Sequence, residues 1–338
     1  DSSFGFRPGR GAHDAIRLAQ AIQQSGKQWV IDMDLKQFFD EVDHDILMSR
    51  LGCRIADKRL KRLINAFLKA GVQCAEGILP TDKGTPQGGP LSPLLSNILL
   101  DDLDKELERR GHSFCRYADD CNIYVGSQRA GERVMVSITR FVETKLKLKV
   151  NREKSAVARP WARQFLGFSF QKLFGTIRII IPQKTLKKFR NRMKELLRIG
   201  RGRNIERFIQ EDLSPFLRGW FQYFAIGANT KLVATLDFTV RRHLRCLLWR
   251  QWQGAWTRVK NIMAQGFTFE KARAGFNRRG PWWNSGTKLL IRSLTPRYFE
   301  QLGLFSFVAT LKQWRTTSTI GTAVVRTRMP GGVGAGVR

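Results

Sequence analysis

The chain has 338 residues, 42% of them hydrophobic, and 59 Lys and Arg face 28 Asp and Glu for a formal net charge of +31 at pH 7. That length and apolar fraction exclude a disordered chain and leave room for two domains of ordinary size, or one large domain with appendages. The charge calls for a polyanionic partner; no run approaches the ~18 uninterrupted apolar residues that span a bilayer and no secretory leader opens the chain, so an intracellular protein with no membrane role is expected.

The sequence opens at Asp1, already inside the patterned segment Phe4-Gly-Phe-Arg-Pro-Gly-Arg-Gly-Ala-His13, and reads as a fragment or a processed product. Apolar spacing predicts a helix over 14–24, then a strand over 27–35 with Trp29, Ile31 and Met33 on one face and Val30, Asp32 and Asp34 on the other. Helices are expected over 44–51 and over 57–69, the second capped by Asp57, and again over 91–107 after a Gly/Pro-rich loop at 81–90. Alternation over 113–125 breaks at Asp119-Asp120, which predicts a hairpin with those carboxylates in its turn. A helix feeding a strand is expected over 141–150, and a further hairpin from 165–170 and 176–181.

After Pro182 the pattern turns helical, with long amphipathic stretches over 185–199, 205–225 and 231–252. The expected domains are 1–182, mixed α and β; 183–254, helical; 255–327, basic; and a flexible tail at 328–338. Charge follows the same division. Residues 1–160 hold 26 basic and 21 acidic residues, whereas 161–338 hold 33 and 7. A solvated basic face would explain a short run, but an excess of this size repels itself across half a protein unless a polyanion relieves it.

Five cysteines, Cys53, Cys74, Cys115, Cys121 and Cys246, make no Cys-x-x-Cys pair, so buried, inert thiols are expected rather than a zinc knuckle or a disulfide framework. The four histidines are scattered, and no metal-bound nuclease domain is expected.

Joining a nucleotide to a strand requires a 3′ hydroxyl to become a nucleophile while pyrophosphate leaves, a task suited to two Mg²⁺ ions held by hard oxygen ligands. Asp34 at the end of one strand, with Asp119 and Asp120 in an adjacent hairpin turn, would supply those oxygens. An Asp-Asp pair in a turn is more often simply a solvated turn, and Asp32, deeper in the strand, reads as structural.

The combination is more specific than its parts. Met33-Asp-Leu-Lys-Gln-Phe-Phe-Asp40, Gly84-Thr-Pro-Gln-Gly-Gly-Pro-Leu-Ser-Pro93, Arg116-Tyr-Ala-Asp-Asp120, Asn151-Arg-Glu-Lys154 and Gln164-Phe-Leu-Gly-Phe168 follow one another at spacings that resemble reverse transcriptases, above all those encoded by bacterial group II introns. The resemblance extends to Gly5-Phe-Arg-Pro-Gly-Arg10 and to Leu213-Ser-Pro-Phe-Leu-Arg-Gly-Trp-Phe-Gln-Tyr-Phe224, and so covers nearly the whole chain.

It implies an α+β right-hand polymerase: partial fingers and a palm with an antiparallel sheet, then an α-helical thumb, or domain X, and a basic C-terminal region. It implies Asp34, the Leu35 carbonyl, Asp119 and Asp120 as metal ligands and Lys154 as the group that meets the leaving pyrophosphate, with a solvated lysine as the alternative. Phe39 would exclude a 2′ hydroxyl by clash, with a core role as its rival, while Phe38 is assigned to the core. Pro86, Gln87 and Gly88 would contact the incoming nucleotide, and Phe165, Leu166 and Gly167 would grip the primer end.

Arg190, Arg192, Arg198, Arg201, Arg203 and Arg207, with Arg278 and Arg279, form the expected RNA- and DNA-binding set. Trp220 and Trp249 are assigned to the core, whereas Trp282 and Trp283 are expected to be exposed for stacking. The resemblance implies intron RNA, a DNA target or primer and dNTPs as partners, in a bacterial cytoplasm, with an upstream fingers segment before Asp1; a homodimer is left open. The alternatives are a splicing cofactor that binds RNA without copying it, or a related polymerase recruited to host defence or repair.

Overall fold

The structure is a computed structural model that describes residues 2–70, 72–74, 77–79, 83–86, 88–276 and 279–326, so the expectations for Gln87, Arg278 and the 328–338 tail lie outside the described residues. The chain divides into two compact units between Pro182 and Gln183.

In the first unit, α1 (Ala12–Gln24) leads into β1 (Trp29–Met33), followed by α2 (Phe38–Glu41), α3 (His44–Gly52) and α4 (Lys58–Lys69). Asp57 caps α4 by accepting from the Arg59 and Leu60 amides, as its position predicts. A short ribbon, β2 (Val72–Cys74) and β3 (Gly77–Leu79), precedes α5 (Ser92–Arg109), the hairpin β4 (Ser113–Tyr117) and β5 (Asp120–Val125), α6 (Gln128–Lys145) and β6 (Ala156–Ala158). The sheet runs β4-β5-β1-β6, antiparallel throughout, with Asp32 opposite Asn122 and Met33 opposite Cys121. A separate hairpin, β7 (Ser169–Leu173) and β8 (Thr176–Ile180), closes the unit.

Strand alternation gives the sheet two different faces. Ile31, Met33, Cys121 and Ile123 join Leu99, Leu103, Ile138 and Val142 in one buried cluster, so α5 and α6 cover that face. The residues between them, Asp32, Asp120 and Asn122, turn to the other face.

Two expectations shift. The helix predicted over 141–150 starts at Gln128, where the Ser127 hydroxyl caps it, and the strand expected to follow shrinks to a single bridge between Leu35 and Val150. A first turn of Gln128-Arg-Ala-Gly-Glu-Arg133 carries too little apolar signal to announce a helix. The strand expected over 165–170 begins only at Ser169, because Phe165 and Phe168 exchange both backbone hydrogen bonds at 2.9 Å around a two-residue turn. Leu166 and Gly167 take φ of 51° and 79°, the positive pair that such a turn needs.

The second unit is helical: α7 (Gln183–Ile199), α8 (Ile205–Phe208), α9 (Ser214–Phe224), α10 (Thr230–Gln251), α11 (Ala255–Met263), α12 (Phe269–Ala274), α13 (Pro281–Asn284), α14 (Lys288–Ser293), α15 (Pro296–Gln301) and α16 (Phe307–Arg326). The single helix expected over 205–225 is interrupted by a π turn at Ile209–Leu213. Pro215 offers no amide and its ring would strike the carbonyl four residues back, so the turn before it widens. One buried cluster runs from Phe189 to Leu311, so α11 to α16 complete a core begun by α7 to α10. From α12 to α15 the helices have four to six residues, too short to show a period, which is why that stretch of sequence shows only its charge.

Cys115, Cys121 and Cys246 are buried, and burial pushes the Cys115 thiol up to about 12. Cys53 corrects the expectation of uniformly buried thiols: it stands exposed just past the end of α3, where the chain leaves the core.

Candidate active site

The site is built where β1 ends beside the β4–β5 turn. Tyr117 pairs with Asp120 across a two-residue turn of Ala118 and Asp119, so Asp119 sits at the tip and Asp120 is the first residue of β5. Ala118 takes φ 56°, the left-handed conformation that such a turn asks of its first central residue. Since Met33 pairs with Cys121, the antiparallel register brings Asp34 alongside Asp120.

Two neighbours brace this turn. Arg116 is fully buried; its guanidinium donates to both Asp104 oxygens, at 2.7 and 2.5 Å, to Asn97 Oδ1 at 3.1 Å and to the Ala118 carbonyl at 2.7 Å. Gly5 also lies against the turn. A Cβ there would stand 2.2 Å from the Ala118 amide nitrogen, and the Gly5 carbonyl accepts from Asn97 at 2.9 Å. The Gly5-Phe-Arg-Pro motif therefore has a local cause: only glycine fits.

The backbone of Asp34 is tied to the Asn151–Lys154 motif. The Asp34 amide donates to Ser155 Oγ at 3.0 Å, and its carbonyl accepts from the Asn151 amide at 2.9 Å. Lys36 N donates to the Lys149 carbonyl at 2.8 Å, so the ladder around the Leu35–Val150 bridge does not consume the Leu35 carbonyl. The motif also carries Lys154, whose Nζ stands 3.7 Å from Asp34 Oδ2 on a side chain 72% exposed, a loose contact that solvent screens.

The electrostatics report convergence. Partial withdrawal from water raises the Asp119 carboxyl, and the charge of Asp34 raises it further. Asp120, at the solvent edge of the site, is pushed up to about 6, first by loss of hydration and then by Asp119, Asp32 and Asp34. Asp32 is raised by burial but held by Arg163, whose nitrogens lie 2.7 and 2.8 Å from Asp32 Oδ2. Arg163 also donates to the Lys154 carbonyl, and its own carbonyl accepts from Ser169 at the start of β7. Arg163 thus ties Asp32 down, while the charge of Asp32 joins those of Asp119 and Asp34 in raising Asp120.

Among the described residues no three His, Cys, Asp or Glu side chains form a ready-made metal cage. The donor chemistry nevertheless suits a hard divalent cation: carboxylate oxygens gathered at one rim, with Asp119 and Asp120 raised by burial and then by their neighbours' charge, a repulsion that a cation would relieve.

Phe38 is buried, and Phe39 is half-buried against it at 5.3 Å between ring centroids. The loop before Gln87 is pinned onto this segment: Thr85 N donates to the Phe39 carbonyl at 2.6 Å, Gly84 N to that of Val42 at 2.7 Å, and His44 Nε2 lies 2.6 Å from the Gly84 carbonyl. Gly84 has φ 94°, and a Cβ there would stand 2.9 Å from the Asp40 carbonyl oxygen. Pro86 and Gly88 therefore sit just beyond an anchored loop near Phe39.

The hairpin is joined to α1 through Gln20 Nε2, which donates to the Ile177 carbonyl at 2.6 Å, and through Gln24 Oε1, which accepts from the Ile177 amide at 2.8 Å. Phe165 is buried at its approach.

In the second unit Arg190, Arg198, Arg201 and Arg207 are exposed, but Arg192 pairs with Glu195 at 2.9 Å. Arg203 is spent on structure: it binds Asp212 and, at 2.9 Å, Glu211. Arg198 and Arg201 instead line a cleft of about 410 Å³ with Lys194, Arg250 and Trp282. Exposed Arg279 lies 5.5 Å over the exposed ring of Trp283, whereas Trp249 is buried and Trp220 packs 4.5 Å from Phe189.

Sequence reasoning assigned no role to Arg116, Arg163, Gly5 or His44. A charged residue inside the apolar run Phe114-Cys115-Arg116 signals a buried partner; nothing local marks Arg163.

Comparison with known proteins adds independent findings. A family model described as reverse transcriptase (RNA-dependent DNA polymerase) matches residues 1–170, and one described as group II intron, maturase-specific domain, matches residues 186–266. Protein YkfC of Escherichia coli (strain K12) is 31% identical over 241 residues, which is 58% of this chain and 63% of that protein. Group II intron-encoded protein LtrA of Lactococcus lactis subsp. cremoris is 43% identical over 105 residues, 31% of this chain and 17% of its own length. The chain thus spans less than two thirds of each of these relatives. The structure of telomerase from Candida albicans with a TWJ fragment of telomeric RNA aligns at TM-score 0.47 and 14% identity, covering 89% of this chain and 53% of that one.

Proposed function

The chain belongs to the reverse transcriptase family, and on that premise we propose that it is the RNA-directed DNA polymerase and splicing maturase of a group II intron. The observation that carries the reading is the shared field of Asp34, Asp119 and Asp120 at the rim of the sheet, with Lys154 beside Asp34. The partners in this reading are structured intron RNA, a DNA primer and target, and dNTPs, in a bacterial cytoplasm. Among the described residues no helix is long and apolar enough to cross a membrane.

Two Mg²⁺ ions, held by Asp34, Asp119, Asp120 and the Leu35 carbonyl, would activate the 3′ hydroxyl and neutralise the leaving pyrophosphate. The remaining roles belong to the chain itself. Arg116 and Gly5 hold the turn that presents Asp119, and the 151–155 segment fixes Asp34 from behind. Lys154 offers a mobile positive charge to the pyrophosphate. Phe39, on the anchored loop–helix junction, meets the sugar and disfavours a 2′ hydroxyl. Phe165, Leu166 and Gly167 support the primer end, and the exposed arginines of the helical unit hold RNA phosphates.

The test is primer extension on an RNA template with Mg²⁺, comparing the chain with Asp119→Ala/Asp120→Ala. The double variant is expected to lose extension by about 10²-fold or more while RNA affinity stays unchanged. Equal extension by both proteins would remove the polymerase reading.

A further inference from the structure

We propose that the outer surface of α5 and α6 is a second RNA-binding face, on the side of the sheet opposite the catalytic carboxylates. α5 and α6 cover the sheet face bearing Ile31, Met33 and Ile123, whereas Asp32 and Asp120 turn to the other. A polyanion lying along these helices therefore cannot be the template–primer held over Asp34 and Asp119.

Between the two helices runs a groove of about 870 Å³ lined by six cations and two carboxylates. Its two acids are already engaged. Glu106 receives Arg109 at 2.8 Å and Arg110 at 2.7 Å, which hold its carboxyl down to about 2, and Glu132 accepts from Gln128 at 2.9 Å. Arg129, Arg133, Arg140 and Lys145 remain, all exposed on α6, and among the described residues none of them pairs with a carboxylate.

From Arg129 to Lys145 the helix advances about 24 Å at ~1.5 Å per residue. That length passes roughly seven phosphates of one strand at ~3.4 Å each. Three of the four charges are guanidiniums, the group that grips phosphate in two-pronged fashion. An acidic protein would also meet the charge, but a protein interface needs an apolar centre with aromatic anchors. Here the apolar lining is Val136 and a half-buried Phe141.

This rests on the reverse transcriptase and maturase reading for the identity of the polyanion as structured RNA. The groove suits a division of labour in which one RNA is held behind the sheet while its strand is copied in front.

The experiment measures binding of a labelled group II intron transcript to the full chain and to Arg133→Glu/Arg140→Glu across a salt series, with thermal unfolding as the check on folding. The variant is expected to bind about tenfold or more weakly and to lose about 1.4–1.8 from the log–log salt slope, the share of two phosphate contacts. Arg133→Lys/Arg140→Lys should keep most of that slope. Unchanged affinity and slope in a normally folded Glu variant would overturn the proposal, as would polyglutamate displacing the transcript as well as polyuridylate does at equal charge. Primer extension by the wild-type chain reads separately: its failure removes the polymerase reading, while loss of transcript binding in the Glu variant still establishes the face.

Discussion

Asp120 shows what it costs one side chain to stand among other carboxylates. Its folded carboxyl titrates at about 6 against an ordinary 3.8, so the folded chain holds that proton more tightly than the unfolded one. Ionising Asp120 therefore costs stability above about pH 6, and the cost disappears below roughly pH 4, where both states are protonated. In chelator-containing buffer at pH 7–8, Asp120→Asn is expected to raise the melting temperature by on the order of 2 °C. At pH 4 the two proteins should melt together. Binding of Mn²⁺ or Mg²⁺ should strengthen as pH rises through about 6 in the wild type and lose that step in Asp120→Asn, since the ligand must be deprotonated.

At the scale of elements, two buried charges decide how pieces of chain are joined. Arg116 links β4, α5 and the β4–β5 turn, so Arg116→Ala leaves Asp104 buried without its partner; a loss of about 3–5 kcal/mol is expected in chemical denaturation. Replacing both charges, as in Arg116→Met/Asp104→Leu, should recover much of that stability but not primer extension, because the Ala118 carbonyl stays unheld. In the helical unit, Asp237 on α10 caps a helix far along the chain: its carboxylate accepts from the Phe307 amide at 3.0 Å and from the Val308 amide and Ser306 hydroxyl at 3.1 Å. Asp237→Ala removes the cap of α16, and a destabilisation of roughly 2–3 kcal/mol is expected by thermal or urea unfolding.

The elements most legible beforehand were those with long periods or strong caps, such as α1, α4 and α10. The short helices between 268 and 301 were not, because four to six residues hold less than two turns of pattern. The π turn before Pro215 and the tight turn at Leu166-Gly167 belong with them. Both are set by single residues whose effect depends on what the neighbouring backbone must satisfy.

For the whole molecule the governing quantity is charge placed by domain. With 33 basic and 7 acidic residues in 161–338, RNA binding should be dominated by phosphate contacts. Affinity for RNA is expected to fall with a log–log slope of about 4 or more between roughly 50 and 200 mM salt, read by anisotropy or filter binding. A flat response would contradict a phosphate-dominated interface. Not every arginine contributes: Arg203 is consumed by Glu211 and Asp212, whereas Arg198 and Arg201 face an open cleft.

The sequence by itself determined the order and spacing of the acidic motifs, the glycines beside them, and the bias of charge toward the second half. These are local features, carried by residue type and spacing along the chain. Tertiary structure alone decided which charges are spent inside the fold and which face outward. Arg163 reaches Asp32 across 131 positions, Arg116 reaches Asp104 across 12, and the α6 arginines lie behind the sheet rather than over its carboxylates. Such pairings depend on register and packing between distant segments; the neighbours of Arg116 in sequence signal that a partner exists, but not which residue it is.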